Sequence, residues 1–267
     1  MYALLALINF LTPKSFASRR VADGLSYGPE RRQVLDIYAP RAGDGPWPVV
    51  YFVYGGAWSM GERGYYEFVG RALAAMGFVV IIIDYRLVGE VEYPVFLEDC
   101  AAGFAWSVDN ISRFGGDPQR MALMGHSAGA YNALMLILAE RYLPAMGLAD
   151  HVKACVGLSG PYDFYPFDVA VSMRAFGAVP NPRSTQPVNR TRASLPPMLL
   201  ATGDADRTVY PRNTVALAER LRDAGNEVVE RHYPGIGHAG ALLALGFFGR
   251  HRAPILSDTV AFLRARL

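Results

Sequence analysis

Gly125-His126-Ser127-Ala128-Gly129 spells G-x-S-x-G, set between an apolar strand-like run, Arg120 to Met124, and a long apolar helical run from Ala128. A serine hydroxyl becomes a useful nucleophile only when a base takes its proton and fixed donors receive the resulting oxyanion. The strand–turn–helix context favours that role over a serine that merely caps a helix. Flanking glycines let the two backbones approach closely, and the first N–H groups of the helix point at the same spot.

Five histidines are candidates for the base. In a parallel sheet, sites form beyond the C-terminal ends of the strands. His151 precedes a strand and so falls at the wrong edge, His232 lies within one, and His251 adjoins the final helix. His126 neighbours Ser127 but is expected to point elsewhere on so tight a turn. His238, in Gly235-Ile-Gly-His-Ala-Gly240, follows the last strand directly and can reach Ser127. An acid must then fix the imidazole tautomer. Asp163, Asp204 and Asp206 all follow strands; Asp206 is preferred, two residues farther into its loop than Asp204, which suits a turn cap. Oxyanion donors are expected from Ala128 and from Gly56 and Ala57, in the Tyr54-Gly-Gly-Ala-Trp58 loop. Trp58, Tyr131, Tyr162 and Phe164 are candidates to line a substrate pocket, with core packing as the competing reading.

The loop 235–240 also spells G-x-G-x-x-G. A dinucleotide site needs a following helix and then a second strand bearing an acid. Only a final helix is expected there, so cofactor binding is set aside. Neither an H-E-x-x-H pattern nor a P-loop occurs, and no metal is expected.

The elements that must position these residues alternate. Strands are expected at Val34–Tyr38, Pro48–Tyr54, Phe78–Asp84, Arg120–Met124, Ala154–Ser159, Met198–Thr202 and Glu227–Tyr233. Helices are expected at Tyr65–Met76, Val95–Phe114, Ala128–Leu143, Arg212–Ala224 and Ile255–Leu267. β-Branched runs alternating with helices indicate an α/β fold, a mostly parallel sheet covered on both faces. The stretch 161–197, rich in proline and aromatics, breaks the alternation and reads as a small cap over the site. The whole of 1–267 reads as one domain, with 1–26 packing on the body.

Met1–Leu11 is almost wholly apolar, yet too short to span a bilayer and without the basic region of a signal peptide. It reads as a short helix on the body or over the site; the alternative is an export signal or a membrane-surface anchor. Hydrophobic residues make up 52% of the 267 and charged residues 19%, enough for a large core. The formal net charge is +2 with basic residues scattered, which argues against a nucleic-acid partner. With only Cys100 and Cys155, a disulfide framework is not expected. Membrane association is not expected and a cytoplasmic location is, with export or an envelope location as the alternative.

The set YGGAW at 54–58, DYR at 84–86, FGGDPQR at 114–120, GHSAGA at 125–130, GDADRTV at 203–209 and GIGH at 235–238 resembles the carboxylesterase branch of the α/β-hydrolases, near the hormone-sensitive-lipase-like and prenylcysteine-methylesterase-like esterases. The resemblance covers most of the chain from about Val34 onward. It implies an α/β-hydrolase fold and a cofactor-free serine carboxylesterase acting on short- to medium-chain esters through an acyl-enzyme. It places the acid at Asp206, in the chain order Ser127, Asp206, His238; Asp84, Tyr85 and Arg86 also match the family, and for them a structural ion pair is preferred to a chemical role. The family usually carries His where this chain has Tyr54. Alternatives are an amidase or formamidase on the same scaffold, a hydrolase-like ligand-binding protein without catalysis, and a structural module tethered by Met1–Leu11.

Overall fold

The computed structural model describes Leu7, Asn9, Leu11, Thr12 and residues 16–267. Eight strands form one sheet in the order β1-β2-β4-β3-β5-β6-β7-β8. They are β1 (Ser18–Ser26), β2 (Val34–Pro40), β3 (Trp47–Val53), β4 (Val79–Ile83), β5 (Gly116–His126), β6 (Val152–Leu158), β7 (Met198–Gly203) and β8 (Val228–Tyr233). β1 pairs antiparallel with β2 and β2 with β4; all other pairs are parallel. The helices are α1 (Glu67–Ala74), α2 (Val95–Asn110), α3 (Ala128–Leu138), α4 (Ala170–Phe176), α5 (Arg212–Asp223), α6 (His238–Leu243) and α7 (Ile255–Arg264).

The central strands read as unbroken apolar runs because both faces of the sheet are covered. Successive side chains point to opposite faces. Tyr51 of β3 donates its hydroxyl to the Cys100 carbonyl of α2, while the next residue, Phe52, meets the ring of Tyr66 just ahead of α1. α7 joins α1 where Arg264 donates to the Met76 carbonyl at 2.8 Å. β3, β4, β5 and β6 are solvent-free along most of their lengths and form the core. In register, Val53 faces Gly125, and His126 faces Leu158. The loops after β3, β5 and β6 therefore leave one edge at the same level.

Three elements carry no clear signal in the sequence. β1, SRRVADGLS, is polar and half exposed, with two register shifts along its pairing with β2. It extends the sheet within the segment expected only to pack on the body. α4 forms inside the stretch 161–197. α6 begins at His238, so the preferred base candidate opens a helix of six residues instead of sitting in a free loop. α3 stops at Leu138, five residues before Leu143. Arg192, 54 residues on, donates to the Ile137 and Leu138 carbonyls at 3.1 and 2.9 Å and satisfies that terminus. Of Met1–Leu11, Asn9 is tied down: its side-chain amide donates to the Gly64 carbonyl and accepts from the Phe68 N–H. The rest of that helix expectation lies mostly outside the described residues. Among those described, no helix is long and apolar enough to cross a membrane.

Candidate active site

Ser127 sits between β5 and α3 with φ 55° and ψ −129°, a conformation that costs an ordinary residue about 1–3 kcal/mol. The surroundings enforce it. A Cβ on Gly125 would collide with the backbone of Gly129 and Ala130, and one on Gly129 with the carbonyls of Val53 and Tyr54. The two glycines are thus steric requirements of a turn this tight.

His238 Nε2 lies 2.8 Å from Ser127 Oγ, and its Nδ1 lies 2.8 Å from Asp206 Oδ2. A carboxylate can only accept, so Nδ1 carries the proton and Nε2 is free to accept from the serine. Asp206 is 1% exposed. Burial alone would raise its pKa. The hydrogen bond and charge of His238, with N–H bonds from Val209 and Thr208 at 2.9 Å, outweigh that and hold the carboxyl below its usual value. Asp204 is turned elsewhere, accepting the Gly235 N–H at 2.6 Å and so fastening the turn that leads to His238. Asp163 projects no partner toward His238; its backbone N–H donates to Asn213.

The loop after β3 is brought onto this elbow. A Cβ on Gly55 would stand 2.7 Å from the His126 carbonyl and 2.8 Å from Ser127 Cβ, so only glycine fits. Gly56, Ala57 and Trp58 follow with φ of 144°, 49° and 57°, three successive positive values, two of them strained for side-chain-bearing residues. The Tyr85 hydroxyl donates to the Tyr54 carbonyl and the Tyr66 hydroxyl to the Gly55 carbonyl, each at 3.0 Å. Ala128 opens α3, where an N–H has no intrahelical acceptor. Among the described residues, nothing accepts the N–H of Gly56 or Ala57.

Trp58, Tyr131 and Phe164 meet, with Phe176, in one aromatic cluster: Trp58 stacks on Phe164 at 5.8 Å and meets Tyr131 edge-on at 5.3 Å. Trp58 also donates to Asn132 of α3 at 3.0 Å, and the Tyr131 hydroxyl to the Thr185 carbonyl at 2.8 Å, which ties 161–197 to the body. Tyr162 is elsewhere. It is solvent-free with its ring against Gly157 and Gly160, and its N–H donates to Asn213, so it packs the core below this cluster.

His126, not expected to serve as the base, is engaged elsewhere than at Ser127 Oγ. Its Nε2 lies 3.0 Å from the His238 carbonyl and the two rings are 4.8 Å apart. Burial, then the charge of His238, pushes its pKa down to about 3. It is a neutral imidazole donating to the backbone of the very residue that faces Ser127. Asn132 is a second contributor, through Trp58. Nothing local in the sequence marks either, because their partners are 112 and 74 residues away.

A family model described as BD-FAE matches residues 35–221. The chain belongs to the BD-FAE family. The span matched by this BD-FAE model contains Ser127 and Asp206 and ends before His238. The chain is 31% identical over 268 residues to the isoprenylcysteine alpha-carbonyl methylesterase of Arabidopsis thaliana, covering 91% of this chain and 62% of that protein. It is 32% identical over 240 residues to esterase LipC of Mycobacterium tuberculosis, covering 81% and 59%. It thus spans less than two thirds of either relative. Among solved structures, it resembles a truncated carbohydrate esterase from gut microbiota (TM-score 0.80, 20% identity, 94% and 96% covered) and a bacterial heroin esterase (TM-score 0.79, 22% identity, 98% and 88% covered). The fold is that of the α/β-hydrolases.

This BD-FAE chain keeps Tyr54 where the resemblance leads one to expect His. Its ring stacks between Tyr66 and Tyr85, each 5.0 Å away. Its hydroxyl donates to Asp84 Oδ1 and accepts from Arg32, both at 2.8 Å. Burial and then the Asp84 charge push that hydroxyl well above its ordinary pKa, so it stays a donor. The DYR residues form ion pairs in which the carboxylate is buried, Asp84 to Arg63 at 2.8 Å and Arg86 to Asp99 at 2.7 Å. Both cysteines are free and buried, and burial raises both thiols. Among the described residues, no group of three His, Cys, Asp or Glu side chains could hold a metal ion.

Proposed function

We propose that this chain is a serine hydrolase of carboxylic esters, with Ser127 as nucleophile, His238 as base and Asp206 as its orienting acid. The observation that carries the reading is the hydrogen-bonded line from Ser127 Oγ through His238 to Asp206, set on a strained elbow. The names of the relatives, methylesterase and esterase, agree with it.

His238 Nε2 takes the Ser127 proton as Oγ attacks the carbonyl carbon. The oxyanion is received by the N–H groups of Ala128, Gly56 and Ala57, whose strained loop is fixed before substrate arrives and need not reorganise. Collapse breaks the ester C–O bond, and the imidazolium returns the proton to the departing alcohol. Water, deprotonated by the same nitrogen, attacks the acyl-serine; a second collapse frees the acid and restores Ser127. Asp206 holds the tautomer and stabilises the imidazolium. Tyr54 does not alter the donors, because they are main-chain groups.

The segment 161–197 acts as a cap, and the substrate has a short or medium acyl chain. The space beyond the oxyanion loop is filled by Trp58, Tyr131, Phe164 and Phe176, the first two 4% and 0% exposed. Hydrolysis of matched butyrate and long-chain esters, and of the matched butyramide, tests the reading. Faster turnover of the butyrate ester than of either comparator is expected; faster turnover of the amide would make the chain an amidase.

A further inference from the structure

We infer that the loop Gly246-Phe-Phe-Gly-Arg-His-Arg252 docks the protein peripherally on an anionic lipid surface. Phe247 and Phe248 are 47% and 48% exposed, at the tip of the connection between α6 and α7. Their rings meet edge-on at 5.4 Å, and the Arg250 guanidinium stands 4.9 Å from the Phe247 ring centre. Arg250 and Arg252 are exposed beside them, and the sequence holds no carboxylate from Gly235 to Ser257. The nearest one beyond, Asp258, is engaged by the Tyr233 hydroxyl at 2.8 Å.

The loop does not stand alone. Gly246 packs so closely on Phe68 that a Cβ there would be 2.7 Å from its ring. The Phe68 N–H donates to Asn9, which also grips Gly64. Leu7 and Leu11, on either side of Asn9, are 50% and 54% exposed. Two exposed aromatics and two exposed arginines thus stand on one loop, held through Gly246 against Phe68 of α1. An exposed apolar patch rimmed by polar or charged groups marks a protein or membrane contact when it is large and contiguous. Aromatic tips flanked by cations match the boundary of a bilayer, where rings enter the headgroup layer and arginines pair with lipid phosphates. No helix among the described residues crosses a membrane, so the contact is peripheral. The loop is separate in sequence from the apolar Met1–Leu11 run, for which a membrane-surface anchor is the alternative reading, and the proposal does not rest on the esterase reading.

Flotation of the full chain with vesicles of phosphatidylcholine alone, or with phosphatidylglycerol added, tests this without any substrate. The wild type should float with the phosphatidylglycerol vesicles, and less so at high salt. Phe247→Ser/Phe248→Ser should weaken partitioning about tenfold or more. Arg250→Gln/Arg252→Gln should weaken it about 30-fold, since each cation near an anionic surface contributes about fivefold. Both pairs are exposed, and unchanged melting temperatures would show the variants folded. Flotation of the wild type with neither vesicle, or equally with both, would overturn the proposal. So would an undiminished Phe247→Ser/Phe248→Ser variant, or a wild-type dimer that this variant dissociates while vesicle binding is absent.

Discussion

Asp204 and Asp206 lie two residues apart, yet one closes the turn at Gly235 and the other faces His238 Nδ1. Asp206→Asn should keep the geometry but favour the wrong imidazole tautomer, costing on the order of 10⁴ in kcat. Asp204→Asn should cost roughly 0.5–2 kcal/mol of stability, as a lost cap does, with activity near normal. Turnover and melting temperature of the two variants check the pair; an inactive, well-folded Asp204→Asn beside a near-normal Asp206→Asn would exchange their roles. His126 carries a second prediction. Its pKa of about 3 in the fold lies below the ordinary 6.5, so between those values the unfolded chain binds a proton that the folded one does not. Stability therefore rises with pH across that window and is lost as pH falls below about 6.5, by up to about 1.4 kcal/mol per unit for one proton. His126→Gln keeps a donor for the His238 carbonyl but cannot titrate. Denaturant unfolding between pH 4.5 and 7, values chosen inside that window, should give the variant the shallower slope, and equal slopes would contradict the buried neutral state.

At the scale of elements, the loop after β3 meets the turn after β5 only because Gly55 and Gly129 lack side chains. Gly129→Ala would drive a methyl group into the carbonyls of Val53 and Tyr54. It should cost about 3 kcal/mol or more, read as a fall in denaturation midpoint, and a neutral outcome would mean that the two backbones can separate. Tyr54→Phe removes one partner each from Asp84 and Arg32 while leaving the stack; roughly 1–3 kcal/mol should be lost with turnover of a short ester retained. β3 and β4 were legible in the sequence because β-branched runs buried on both faces leave no other reading. The sequence also puts Ser127, Asp206 and His238 each after a strand, and in the fold their three side chains meet at that edge. β1 was not, because an edge strand half in water carries no apolar alternation. The end of α3 was not, because its stop comes from Arg192 and not from a local glycine or proline. The turn of His126 toward His238 and the burial of Tyr162 under Gly157 and Gly160 depend on contacts that form only once the sheet exists.

Across the whole molecule, the same edge of the sheet gathers the strained loop after β3, the elbow after β5 and the turns after β7 and β8. The segment 161–197 is tied to α3 by the bond from the Tyr131 hydroxyl to the Thr185 carbonyl. Strain at Ala57, Trp58 and Ser127 is held by a core around β3, β4 and β5 that excludes solvent almost completely. Such a scaffold can hold the proposed donors and nucleophile fixed whatever the exposed loop 246–252 contacts. As proposed, Ser127 is the nucleophile of an ester hydrolase. Treatment of the folded protein with a fluorophosphonate, followed by digestion and mass mapping, tests it most directly. One adduct per chain is expected, on Ser127, formed in step with loss of ester hydrolysis and absent from Ser127→Ala; an adduct on another residue, or hydrolysis that survives full modification of Ser127, would remove Ser127 from that role.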